Sequence, residues 1–211
     1  ANPRRIQAKT EVILSAGGIN TPKLLMLSGI GDEAQLKTHG IKTLVHAPEV
    51  GQNFQDHLLH GGCIWEPKEY VPHRNSAANA AGFIKSQASL ISPDVNLVQI
   101  ELPYASDVVG KRYSPPNTSW ALCAGLVAPK SRGELRLKSA NPADRPIVDA
   151  RFLSHPDDVK ALAHGIELAR VAAQIATYVK DQVERIRSSN DIEAKNNLDK
   201  RIREFVTKAL N

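Results

Sequence analysis

Of its 211 residues, only two are cysteine, one is methionine, and 5% are aromatic. Cys63 and Cys123 form neither a Cys-x-x-Cys pair nor a zinc spacing, so thiol redox and zinc motifs are excluded and buried free thiols are expected. No apolar run approaches the ~20 residues that a bilayer-spanning helix needs. Aromatics are scarce and do not interleave with basic residues. The net charge of +5 is spread among alternating signs, as in Lys180-Asp181 and Asp199-Lys200-Arg201, so no nucleic-acid partner is expected. There is no Gly-x-Ser-x-Gly elbow, no phosphate-binding P-loop and no visible signal peptide. A cytoplasmic location is the expectation. His60, His73, His155 and His164 have no ligand-like spacing, and no histidine follows His164; these read as structural or solvated, with no metal.

What is present suits a globular chain, with 42% hydrophobic and 23% charged residues. Arg4 to Leu14 read as one or two strands closing on Ser15-Ala16-Gly17, small residues that let a backbone come close to a ligand. Thr21 then reads as a helix cap with Pro22 in the first position, and Gly29 as the left-handed end of that helix. Asp32 caps a second short helix that stops at Gly40. Gly29-Ile30-Gly31-Asp32-Glu33-Ala34 formally fits a dinucleotide fingerprint, yet a helix precedes it where a strand is required, so it reads as a helix-end turn.

From Gly61 to Asp149 the texture changes to strands, at Gly62–Trp65, Gly82–Ser86, Val95–Leu102, Ser119–Ala128, Glu134–Lys138 and Ile147–Asp149. Loops rather than crossover helices join them, which implies an antiparallel sheet. After Ser154, read as an N-cap, a helix is expected with Val159, Leu162, Ala163, Ile166 and Ala169 on its apolar face. Ile175, Val179, Val183 and Ile186 continue it, and a last helix would align Leu198, Ile202, Phe205 and Val206.

Three stretches carry a family resemblance. Ser15 to Gly31, SAGGINTPKLLMLSGIG, resembles the second signature of the glucose–methanol–choline (GMC) oxidoreductases, with Gly17, Thr21, Pro22, Leu24, Leu25, Ser28, Gly29, Ile30 and Gly31 matching. Gly18 departs, standing where Ala, Ser, Thr or Pro is usual. Val50 to His57, VGQNFQDH, is similar to the VGxNLQDH that follows, with Phe54 for Leu. Ala128 to Arg170 is similar to the start of the family's C-terminal region, in its alcohol and choline dehydrogenase branch.

The resemblance implies an α+β chain: the end of an FAD-binding α/β domain over residues 1–58, then a substrate domain over 59–211. That second domain would hold an antiparallel sheet over about 61–150 and flanking helices over about 155–211. Ser15, Ala16, Gly17, Thr21 and Pro22 are implied to lie along the ADP half of FAD. Asn53, Gln55, Asp56 and His57 are implied to lie near the join of the two domains. The family's glycine-rich fingerprint and its C-terminal His are not in the sequence, so the chain is expected to be an internal segment with no catalytic base and no activity of its own. The Val12–Leu14 strand is then expected to lack its parallel neighbours, leaving edges open to self-association. In the intact family enzyme an alcohol CH–OH group gives a hydride to the flavin. Between Val71 and Pro93 there is no acid and one aromatic, Phe83, which favours a neutral alcohol over choline. The alternatives are a non-catalytic relic or interaction module, and a hydroxynitrile lyase of the same fold.

Overall fold

The computed structural model describes residues 4–67 and 80–187, with 197, 200, 203, 204, 207 and 208 beyond them. In chain order the first elements are α1 (Gly17–Leu27), β1 (Ile30–Gly31), α2 (Glu33–Thr38), β2 (Val45–His46), β3 (Leu58–Leu59) and β4 (Ile64–Trp65). They are followed by β5 (Ala80–Ile84), β6 (Val95–Ile100), α3 (Asp107–Tyr113), β7 (Trp120–Leu126), β8 (Glu134–Arg136), β9 (Ile147–Asp149) and α4 (Pro156–Arg187). The chain forms two compact units. One joins Ala1–Asp56 to Ser131–Ser154, and the other joins His57–Lys130 to His155–Asn211.

In the first unit, α1 begins four residues before Thr21, so Thr21 and Pro22 lie inside the helix instead of opening it. The Thr21 hydroxyl accepts the Ala16 N–H at 3.0 Å and draws the preceding residues into the turn. Gly17, at φ +83°, and Gly18 give that turn the freedom that the Pro22 ring demands of the residues before it. The far end matches expectation. Gly29 takes φ +83°, and a Cβ there would stand 2.5 Å from the Lys42 carbonyl oxygen. Its own carbonyl accepts from Leu44 and Val45, leading into the parallel pair β1–β2. Asp32 caps α2 by accepting the Gln35 N–H at 2.8 Å, and Gly40 follows at φ +68°. Because α1 precedes Gly29, the fingerprint-like glycines are the helix-end turn that their sequence context implied.

Two expectations for this unit change. Arg4–Leu14 form no strand: no neighbour among the described residues pairs with them, and Val12 and Ile13 are each 76% exposed. Strands β8 and β9 do not extend the large sheet but pair with each other in a sheet of their own. Phe54 and Gly133 exchange both backbone hydrogen bonds at 2.9 Å, and the Leu135 N–H reaches the Gly51 carbonyl, so this ribbon is bound to the first unit. The alternation read in residues 134–138 does hold, with Leu135 and Leu137 buried and Arg136 and Lys138 exposed. Leu137 joins Met26 and Leu36 in the core of the unit.

The second unit is an antiparallel sheet in the order β3-β7-β6-β5, with β4 also on β7. One face buries Val95, Ala124 and Leu126 against Ala161 and Leu162 of α4, with Leu58, Ile84 and Leu97 around them. Gly165 lets the helix approach, since a Cβ there would lie 2.7 Å from Val95 Cγ1. The cap of α4 is His155 rather than Ser154: its Nδ1 accepts the Asp157 N–H at 3.2 Å, and Pro156 takes the first position. The buried stripe is also rotated. Val159 and Ala163 are exposed, while Asp158, Ala161, Leu162, Gly165 and Ala169 are buried. Asp158 accepts the Lys130 N–H at 2.8 Å, which satisfies a carboxylate on the inner face. The side chains of Val179, Val183 and Ile186, and the expected last helix at Leu198, Ile202, Phe205 and Val206, lie outside what is described. Among the described residues no helix is long and apolar enough to cross a membrane.

Candidate functional site

Ser15, Ala16 and Gly17 do not end a strand; they open α1, and all three are exposed. No side chain caps this helix and no acid stands in its first turn. The first N–H groups of a helix lack partners within it and carry its positive dipole end, a combination that suits an anionic oxygen. Around Gly17 and Gly18 nothing lies within 4 Å of where a Cβ would point, so a ligand has room to approach the backbone itself. Thr21 and Pro22 sit one turn further in and are half-buried.

Asn53, Gln55, Asp56 and His57 lie on a loop that rigid backbone contacts define. Gly51 takes φ +90°, and a Cβ would stand 2.4 Å from the Leu135 carbonyl oxygen. Asn53 is itself left-handed, at φ +63°, and Phe54 is pinned to Gly133. With Phe54 turned partly inward, Asn53, Gln55, Asp56 and His57 are presented to solvent. Glu134 accepts from the Gln52 Nε2 at the base of the loop at 3.5 Å and also meets Arg136 at 3.1 Å and Arg151 at 3.0 Å. The Met26 Cε lies 3.6 Å from the Gly51 Cβ direction, while Gly17 is nine residues earlier in the same helix, about 14 Å along its axis. The structure therefore does not gather the two stretches at one point. It sets Gly17 about one helix length from Gly51, two residues before Asn53.

In the second unit, the sheet face turned away from α4 carries Phe83, Asn96 and Gly125 in register, with Ala81, Val98 and Cys123 beside them. None of these is charged, and Phe83 is 65% exposed. Both cysteines are free thiols, as the sequence implied, but only Cys123 is buried and Cys63 is half-buried. Burial, and then the neighbouring Cys63, push the Cys123 thiol up to about 11; burial also raises Cys63. Burial holds His60 below the ordinary imidazole value. The His60 Nδ1 and the Ser119 Oγ are buried without hydrogen-bond partners among the described residues. Sequence gave no signal for either, because a missing partner is visible only in three dimensions. Among the described residues no group of three or more His, Cys, Asp or Glu side chains could hold a metal ion.

Comparison with known proteins agrees with these motifs. The family models described as GMC oxidoreductase match residues 1–59 and 129–211. Choline oxidase of Arthrobacter globiformis is 36% identical over 176 residues, covering 82% of this chain and 32% of its own length. An alcohol dehydrogenase (acceptor) of Pseudomonas putida is 37% identical over 203 residues, covering 82% of this chain and 36% of its own. The chain thus spans about a third of the length of these curated relatives. Among solved structures, pyridoxine 4-oxidase from Mesorbium loti superposes with a TM-score of 0.66 at 28% identity, over 74% of this chain and 31% of that one. Formate oxidase superposes with a TM-score of 0.62 at 25% identity, over 76% and 36%.

Proposed function

Because the chain belongs to the GMC oxidoreductase family, we propose that it serves the FAD-dependent oxidation of the CH–OH group of an alcohol. Residues 1–58 supply the last part of the FAD-binding domain, which the β8–β9 ribbon joins, and the rest of residues 59–211 supply most of the substrate domain. The observation that carries this reading is the start of α1, where no side chain caps the helix and neither Gly17 nor Gly18 has a Cβ. That cradle suits the pyrophosphate of the cofactor. Ser15, Ala16 and Gly17 bring the backbone close to it; Thr21, whose hydroxyl holds the Ala16 N–H, and Pro22 fix the turn behind them. Asn53, Gln55, Asp56 and His57 offer donors and acceptors for the more distant polar atoms of the same cofactor.

When bound, the flavin supplies the hydride acceptor, and the protein orients the reactants. The uncharged sheet face around Phe83, Asn96 and Val98 suits a neutral alcohol better than a quaternary ammonium, which calls for a carboxylate or an aromatic cage. No residue of this chain is assigned the hydroxyl proton. Two free thiols accord with work in the cytoplasm.

Titrating the chain with FAD while following flavin fluorescence tests the reading. ADP should displace the flavin. The substitution Gly17→Val should weaken binding by about tenfold, because a branched side chain in the left-handed region costs ~1–2 kcal/mol. Flavin binding indifferent to both ADP and Gly17→Val would sink it.

A further inference from the structure

A row of cross-strand partners, Leu59, Gly125, Asn96 and Phe83, runs across the sheet face turned away from α4. Asn96 on β6 and Gly125 on β7 oppose each other in the two central strands. Neither suits a strand interior. Glycine has no side chain to pack there, and asparagine competes with the ladder through its own amide. A steric fit joins the two residues: a Cβ on Gly125 would stand 2.3 Å from the Asn96 Oδ1 and 3.0 Å from the Leu59 Cδ1. The Asn96 amide thus lies over Gly125, in space that any other residue at 125 would fill. Gly125 is buried beneath it, while Asn96 itself is half-buried. Among the described residues this amide has no hydrogen-bond partner, and neither of its polar atoms is sealed from solvent.

The surroundings narrow what can bond to it. Leu59 and Phe83 flank the pair with apolar side chains, and the adjoining row of Ala81, Val98 and Cys123 carries no charge. An amide offers a donor and an acceptor with no net charge. It matches a hydroxyl, which also gives and takes one bond, but it cannot neutralise an ion that must shed its water to lie on this face. We propose that Asn96 is the specificity-determining residue of the face: its amide bonds the hydroxyl of a neutral alcohol whose apolar body lies against Leu59 and Phe83. This inference rests on the reading of the face as the substrate side, and it names the residue that enforces the choice of a neutral substrate there.

The residue is its own reporter. In the isotope-labelled whole chain, the side-chain amide of Asn96 gives an NMR resonance pair that is assigned by its loss in Asn96→Asp. Benzyl alcohol should move that pair and the Gly125 backbone resonance saturably. Benzyltrimethylammonium, with the same ring and a fixed charge, should bind more weakly. Asn96→Ala, followed at Gly125, should bind the alcohol about fivefold more weakly, the worth of one neutral hydrogen bond, while keeping the circular dichroism of the wild type. Asn96→Asp, which keeps the shape and adds a charge, should reverse the order of the two probes. Alcohol binding that moves Gly125 but is equally tight in Asn96→Ala would overturn the role of Asn96 and leave the substrate face standing. No saturable shift anywhere on this face in the wild type would overturn both. Tighter binding of the ammonium by the wild type, or the wild-type order kept by Asn96→Asp, would overturn the role of Asn96 as well.

Discussion

Gly133 has no room for a methyl group. A Cβ there would lie 2.2 Å from the Asp149 carbonyl oxygen and 2.7 Å from the Ala150 carbonyl carbon, both backbone atoms that cannot rotate away. The same residue bonds to Phe54 in both directions, so it fixes the loop that displays Asn53 and Gln55. Gly18 is the reverse case: it departs from the family pattern, yet nothing lies within 4 Å of its Cβ direction. Gly133→Ala should destabilise the protein by about 2–3 kcal/mol, the range of overpacking without relief. Gly18→Ala should stabilise it by ~0.5–1 kcal/mol through a less flexible unfolded chain and better helix propensity. Denaturant unfolding of the two variants side by side checks both signs. Sequence pattern marked Gly18, but that Gly133 is the obligatory glycine depends on backbone atoms of Asp149 and Ala150, far along the chain.

At the scale of elements, the short-range signals were legible and the long-range ones were not. Asp32 as the cap of α2 and Gly29 as the end of α1 each depend on a few neighbouring residues, and both appear where the sequence placed them. The period of α4 was also readable, but its phase was not. Val159, placed on the apolar face, is 47% exposed, while Asp158 beside it is buried. That rotation depends on the Lys130 N–H, 28 residues away, which no helical periodicity can register. The small residue at the centre of the inner face follows from the same packing. Gly165→Val should push α4 off the sheet, since even its Cβ would meet Val95 Cγ1 at 2.7 Å and Ala124 Cβ at 3.0 Å. Those neighbours are side chains that can give partly, so a loss of about 1–3 kcal/mol is expected. Thermal melting followed at 222 nm would show it; an unchanged midpoint would mean that the helix is not seated as described.

For the whole molecule, local patterning implied an antiparallel sheet and the family resemblance an α+β chain, but neither said which strands share the sheet. β8 and β9 alternate like any strand with one wet face, and only the Phe54–Gly133 and Gly51–Leu135 bonds assign them to the first unit. The expected strand at Val12–Leu14 failed for a related reason, since a strand's hydrogen bonds belong to its neighbours. Its apolar side chains are open to solvent, as the lack of neighbours implied. The family motifs around Gly17 and Asn53 were legible in the sequence, whereas the packing of Gly51 against Met26 was not.

The central claim is that Ser15–Pro22 and Asn53–His57 are two contact regions for one extended cofactor. Amide hydrogen exchange across the chain, with and without saturating FAD, tests this most directly. The account predicts slowed exchange in both stretches together, with α4 unchanged. FAD bound to the chain with neither stretch protected, or with protection confined to some other region, would contradict it.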